Sequence, residues 1–211
     1  MENQSRILIV GADSLAGRAA FHHLTSEGYG HISISDGNMD WTDRNAVFSF
    51  IKDCSPECVF MFAGKSGGIE LNRRKPATLM FDNLAISANV IDAAHRLNIK
   101  KMIYLASSCC YPHGSPQPMK PEYLLSGRLE ETNEAYAMAK LAGMKLCQAY
   151  RSQYGCNFIT AIPSTPFGPH SHFNPDEAHV IEGLMTRMHQ AKLSGQKEVV
   201  IWGTGKPRRD F

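Results

Sequence analysis

Tyr136 and Lys140 stand four residues apart, so a helical stretch brings them onto one face. Ser107 follows the apolar run Lys101-Met-Ile-Tyr-Leu-Ala106, just past the end of a predicted strand. A tyrosine hydroxyl is a poor acid or base at neutral pH, because its ordinary pKa is about 10. A neighbouring ammonium would stabilise the phenolate and lower that value, and a serine hydroxyl would orient the reacting oxygen. Such a set can pass a proton to or from a carbonyl or an alcohol. Tyr-x-x-x-Lys by itself more often marks a solvated helix face. The rest of the chain must supply the context.

That context begins with Gly11-Ala-Asp-Ser-Leu-Ala-Gly17, which follows the apolar run Arg6-Ile-Leu-Ile-Val10 and opens a predicted helix. The backbone N–H groups of Gly11, Ala12, Asp13, Ser14, Leu15, Ala16 and Gly17 can hold a pyrophosphate there. Ser14 stands where the usual fingerprint has its middle glycine, and its hydroxyl could donate to a phosphate. Asp36 ends the second predicted strand about twenty residues further on, where an acid binds the adenosine ribose of NAD. Its charge would repel the extra phosphate of NADP, and Arg44 is the nearest later cation that could offset this. Asp36-Gly37 also reads as a plain turn. Asp43 would either contact the adenine amino group or cap the next helix. With a nicotinamide dinucleotide seated in this turn, a hydride would accompany the proton that Tyr136 handles.

Stepping from strand to helix along the chain gives the elements that must hold these groups. Apolar β-rich runs at residues 6–10, 31–35, 58–63, 101–106, 157–162 and 198–202 alternate with helical patterns at about 15–28, 43–53, 76–97, 133–154 and 178–193. That alternation predicts an α/β fold with a doubly wound parallel sheet, whose first βα turn is the ligand crevice. The runs at 58–63 and 101–106 read as strands buried on both faces. Of 211 residues, 43% are hydrophobic, and 22 Lys+Arg face 20 Asp+Glu. The mixed charge gives no basic patch for nucleic acid, and no apolar run reaches the ~18 residues a membrane span needs. The N-terminus leads straight into a strand pattern, so a soluble cytoplasmic chain is expected. Six cysteines without scaffold spacing suit free thiols. No second Cys/His pair follows Cys54 and Cys58 at zinc-finger spacing, and His170 and His172 lie far along in a Pro/Gly loop. No metal site is expected.

The nucleotide turn, Ser107 and the Tyr136/Lys140 pair together resemble the extended short-chain dehydrogenase/reductase superfamily, in its NAD-dependent epimerase/dehydratase branch. Further segments are similar to the GDP-L-fucose synthase family: 58–69, Ser107-Ser-Cys, Tyr111-Pro, Pro116-Gln-Pro, Glu122-Tyr-Leu-Leu, 133–140, His179-Val-Ile and 202–211. The resemblance runs from about Arg6 to Phe211. It implies epimerisation of GDP-4-keto-6-deoxy-D-mannose at C3 and C5, then reduction of the 4-keto group with NADPH. It implies Cys109 as the epimerisation base, His179 as its partner acid, and Tyr136 with Lys140 and Ser107 for the reduction. Leu105, Ala106, Ser107, Ser108, Pro163, Ser164, Thr165 and His179 would border the cofactor, and Arg187, Trp202 and Arg209 would hold the nucleotide-sugar. A homodimer is also implied. Taken without the resemblance, Cys109 reads as a buried thiol, His179 as a helix-start residue, Arg187 as a surface residue and Trp202 as a core aromatic.

The chain departs from that family at Ser14, at Asp36, where a basic residue for NADP is more usual, and in the loop Ser164-Thr-Pro-Phe-Gly-Pro169. NAD(H) is therefore a second cofactor expectation beside NADP(H). Family members continue beyond Arg-Asp-Phe211. Residues 1–175 are thus expected to be the dinucleotide domain, and 176–211 the incomplete start of a substrate-binding portion. Two other readings stand beside the epimerase–reductase: a nucleotide-binding relic without catalysis, and another nucleotide-sugar epimerase or dehydratase.

Overall fold

Five short β-rich runs pair in parallel: β1 (Ile7–Val10), β2 (Ile32–Ile34), β3 (Cys58–Met61), β4 (Lys101–Leu105) and β5 (Phe158–Ala161). Their order is β2-β1-β3-β4-β5, with Ile7 opposite both Ile32 and Cys58, Cys58 opposite Lys101, and Met102 opposite Phe158. The computed structural model describes residues 2–35, 37–171, 173, 178–201, 203–206, 208 and 210–211. Asp36, Trp202 and Arg209 lie outside the described residues. Because β1 sits between β2 and β3, the chain leaves β1 to one side and resumes on the other. That topological switch opens a crevice above the carboxyl ends of β1 and β3.

The connecting helices are α1 (Leu15–Ser26), α2 (Arg44–Cys54), α3 (Ile69–Arg74), α4 (Pro76–Arg96), α5 (Glu134–Tyr154) and α6 (Val180–Leu193). One sheet face carries Leu8, Val10, Val59, Met61, Met102 and Tyr104. These pack against Val47 and Ile51 of α2, Ile86, Val90 and Ile91 of α4, and Leu141 and Met144 of α5. Burying each such side chain is worth about 1.5–3 kcal/mol. The other face carries Ile7, Ile9 and Cys58 under Phe21 and Leu24 of α1. Gly143 lets α5 come close, since a Cβ there would lie 2.4 Å from the Tyr104 hydroxyl.

Three expectations change. The strand expected at 198–202 does not form over Glu198–Ile201: the Val200 carbonyl, which a ladder would use, accepts from Arg187, and Val200 is 76% exposed. An additional helix, α3, occupies part of the stretch after β3. Six residues without a clear apolar stripe gave no periodic signal, and Asn72 Nδ2 anchors the helix by donating to the carbonyls of Gly67 and Gly68. Finally, β4 is buried on alternate residues only, and Ile159 of β5 is exposed, so the α1 face is only part-covered at that end.

Candidate active site

At the first turn, Gly11 takes a positive φ of 80°, and a Cβ on it would meet the Ala63 backbone N at 2.5 Å. A Cβ on Gly17 would meet the Gly11 carbonyl oxygen at 2.1 Å. Both glycines are therefore required by the close approach of strand, turn and helix. Ser14 differs from expectation: its hydroxyl donates to Gly11 O at 2.7 Å and accepts from Gly17 N at 3.0 Å, which makes it the N-cap of α1. Its side chain is already engaged, so it is not offered to a phosphate. The Leu15 and Ala16 N–H groups have no protein acceptor among the described residues. Asp13 O accepts from Arg18 Nε. Two open N–H groups at the positive end of a helix fit a dinucleotide pyrophosphate.

The carboxylate of Asp43 caps α2, accepting from Asn45 N at 2.8 Å and Ala46 N at 3.1 Å. Arg44 pairs with Asp92 of α4 at 2.9 Å.

The chemistry gathers at the end of β4. Ser107 caps a 3₁₀ turn, Ser108–Cys110, and its Oγ accepts from Cys109 N. The main chain of Ala106 is tied to β5 through Ala161 O. Tyr136, in the first turn of α5, is near enough to Ser107 for that hydroxyl to act on its ionisation. One helical turn on, Lys140 is buried, with Nζ donating to Leu105 O at 3.1 Å and lying 5.3 Å from the Tyr104 ring centroid. The expected depression of the Tyr136 hydroxyl is absent. Burial pushes it above its ordinary value, Cys109 and Tyr104 add to that, and Ser107 opposes it. Burial also brings Lys140 down to about 8, with Cys110 acting in the opposite direction. Desolvation thus outweighs the attraction that the Tyr136/Lys140 spacing suggested.

Of the adjacent cysteines, Cys110 is the buried one, and burial pushes its thiol up to about 11. Cys109 is only part-buried and receives the Asn133 amide Nδ2 at 3.2 Å. Three residues that sequence reasoning missed border this site: Asn133, Asn83 and Gly64. Asn83 is buried and pins Lys65 through both its backbone N and O. Gly64 lies between Asn83 and Lys140, so a Cβ there would meet Asn83 Oδ1 at 2.6 Å and Lys140 Nζ at 3.1 Å. Asn133 and Gly64 both fall in segments that carried the resemblance, but neither residue type announced a contact.

The remaining expected residues sit elsewhere. Pro163, Ser164 and Thr165 follow β5, and Thr165 N donates to Asp210 O, which folds the end of the chain back onto this loop. His179 is exposed at the residue before α6, and among the described residues no hydrogen bond or ring contact joins it to Ser107, Cys109 or Tyr136. Arg187 donates from Nε to Gly183 O and from Nη1 to Val200 O. Two surface hollows, at Ser55–Glu57 with Leu97–Lys100 and at Glu2–Ser5 with Lys100 and Lys101, lie at the amino ends of the strands, opposite this site.

The profile of the NAD dependent epimerase/dehydratase family matches residues 7–211. The probable GDP-L-fucose synthase 1 of Oryza sativa subsp. japonica is 42% identical over 208 residues, which is 98% of this chain and 63% of that protein. The GDP-L-fucose synthase of Escherichia coli K12 is 38% identical, across 99% of this chain and 65% of its own length. The crystal structure of a GDP-L-fucose synthetase from Naegleria fowleri bound to NADP superposes with a TM-score of 0.85 at 28% identity. That match spans 99% of this chain and 69% of the other. The chain therefore spans a little under two thirds of these two curated relatives.

Proposed function

The chain belongs to the NAD dependent epimerase/dehydratase family, and on that premise we propose that it carries the dinucleotide site and acid–base centre of a GDP-L-fucose synthase-type epimerase–reductase. The observation that supports this most is the grouping of Ser107, Cys109 and Tyr136, with Lys140 one turn further along α5, at the carboxyl edge of the sheet. Residues 1–175 form the dinucleotide domain in this reading, and 176–211 begin the substrate-binding portion.

The dinucleotide, when bound, supplies hydride to a carbonyl carbon. The residues handle protons and orientation. Tyr136 keeps its proton at neutral pH, since desolvation raises a hydroxyl that is already a weak acid, which suits an acid that must protonate the C4 oxygen of the sugar. Ser107 orients that oxygen, and the charge of Lys140 stabilises the phenolate left behind. Cys109, as thiolate, takes a proton from a carbon alpha to the 4-ketone, and His179 returns one on the opposite side. Arg187, Trp202 and Arg209 would bind the nucleotide-sugar. Leu15 and Ala16 N–H would hold the pyrophosphate, with NADP(H) as the cofactor and NADH use favoured by Asp36.

A homodimer fits the outward stripes of Phe81 and Ala88 on α4 and Met138, Ala142 and Ala149 on α5, all exposed. Among the described residues no helix is long and apolar enough to cross a membrane, in keeping with a cytoplasmic enzyme. The deciding experiment supplies GDP-4-keto-6-deoxymannose in deuterated water with NADPH or NADH. Deuterium at C3 and C5 together with cofactor oxidation supports the proposal. Cofactor binding with neither favours a nucleotide-binding chain without turnover, a reading that the separation of His179 from Cys109 motivates.

A further inference from the structure

Asn133 closes the 3₁₀ turn Glu131–Asn133 immediately before α5. Its Nδ2 lies 3.2 Å from Cys109 Sγ, while its Oδ1 is buried and has no hydrogen-bond partner among the described residues. A buried amide oxygen left without a donor is destabilising, and an apolar residue of similar size would avoid that penalty. The side chain's hydrogen bond goes instead to sulfur.

We propose that Asn133 is the positioning residue of Cys109, its amide N–H fixing Sγ and favouring the thiolate. This rests on the reading above that Cys109 exchanges protons alpha to the ketone. A hydrogen bond donated to the charged form of an acid favours that form, and the thiolate is the form that accepts a proton. The other groups facing Cys109 do not supply this. Tyr136 of α5 and Cys110 of the same 3₁₀ turn are acids whose own ionisation Cys109 opposes. Lys140 Nζ is turned to Leu105 O, and Ser107 Oγ holds the backbone N–H of Cys109, not its sulfur. Turned end for end, the amide would accept from a thiol S–H and favour the neutral form. The two arrangements predict opposite results.

The test is the pH dependence of Cys109 alkylation by iodoacetamide, read at that residue by tandem mass spectrometry on the full chain. Wild type is compared with Asn133→Ala and with the near-isosteric Asn133→Asp, which keeps the volume and removes the donor. The midpoint should rise in both, furthest in Asn133→Asp, with alkylation at pH 7 slowed about tenfold. A midpoint that stays put or falls in either folded variant overturns the proposal. No nucleotide-sugar enters this assay. A shifted midpoint with no deuterium exchange would therefore retain the Asn133–Cys109 contact and remove the proposed turnover.

Discussion

Lys140 shows how a residue chosen for its charge behaves once buried. Its folded value of about 8 lies below the ordinary 10.5, so between these values the unfolded chain holds more protons and stability rises with pH. Below pH 8 the buried ammonium destabilises the fold, by up to ~3 kcal/mol if the whole shift is realised. Lys140→Met should therefore be more stable than wild type at pH 7 while losing reductase activity. Urea melts should show that gap closing as the pH rises from 8 to 10.5. A second prediction concerns Asp36. The Asp36 charge would disfavour the extra phosphate of NADP, so Asp36→Ala should improve NADPH use relative to NADH by roughly tenfold. Cofactor kinetics with both dinucleotides check this, and an unchanged ratio removes the charge argument.

Helix starts were partly legible as residue types, and the structure settled which of their roles applies. Asp43 had both a ligand reading and a capping reading, Ser14 only a ligand reading, and both side chains cap helices. Capping is satisfied within a few residues of chain, so it forms whether or not a ligand is near. Asp43→Ala should lower stability by about 1 kcal/mol, whereas Asp43→Asn should keep most of it, as thermal melts would record. Weaker dinucleotide binding in the stable Asp43→Asn variant would assign an adenine contact in addition. The expected strand does not form over Glu198–Ile201 for a related reason: β pairing needs a neighbour with a free ladder, and apolar alternation cannot say whether one is present.

Across the whole molecule, two sets of the exposed apolar side chains lie on neighbouring elements. Phe81 and Met138 lie on α4 and α5, the pair proposed to pack across a twofold. Val180, Met185, Met188 and Leu193 belong to α6, with Val200 and Ile201 just after it. Light scattering at micromolar concentration should return a dimer, and Phe81→Glu should convert it to a monomer with little change in unfolding of the protomer, since this ring is 69% exposed. A dimer surviving that change would move the interface elsewhere.

The sequence by itself determined the alternation of strands and helices, the parallel sheet, the nucleotide turn and the candidate set Ser107, Tyr136 and Lys140, to which only the family resemblance added Cys109. These rest on periodicity and spacing, which are local. Only the tertiary structure decided that Tyr136 is raised and not lowered, that Cys110 is the buried thiol of its pair, and that Asn133 and Gly64 border the site. Those outcomes depend on desolvation and on contacts between segments far apart in the chain, such as Asn133 with Cys109. No pattern along the sequence encodes how much water a packed neighbour removes.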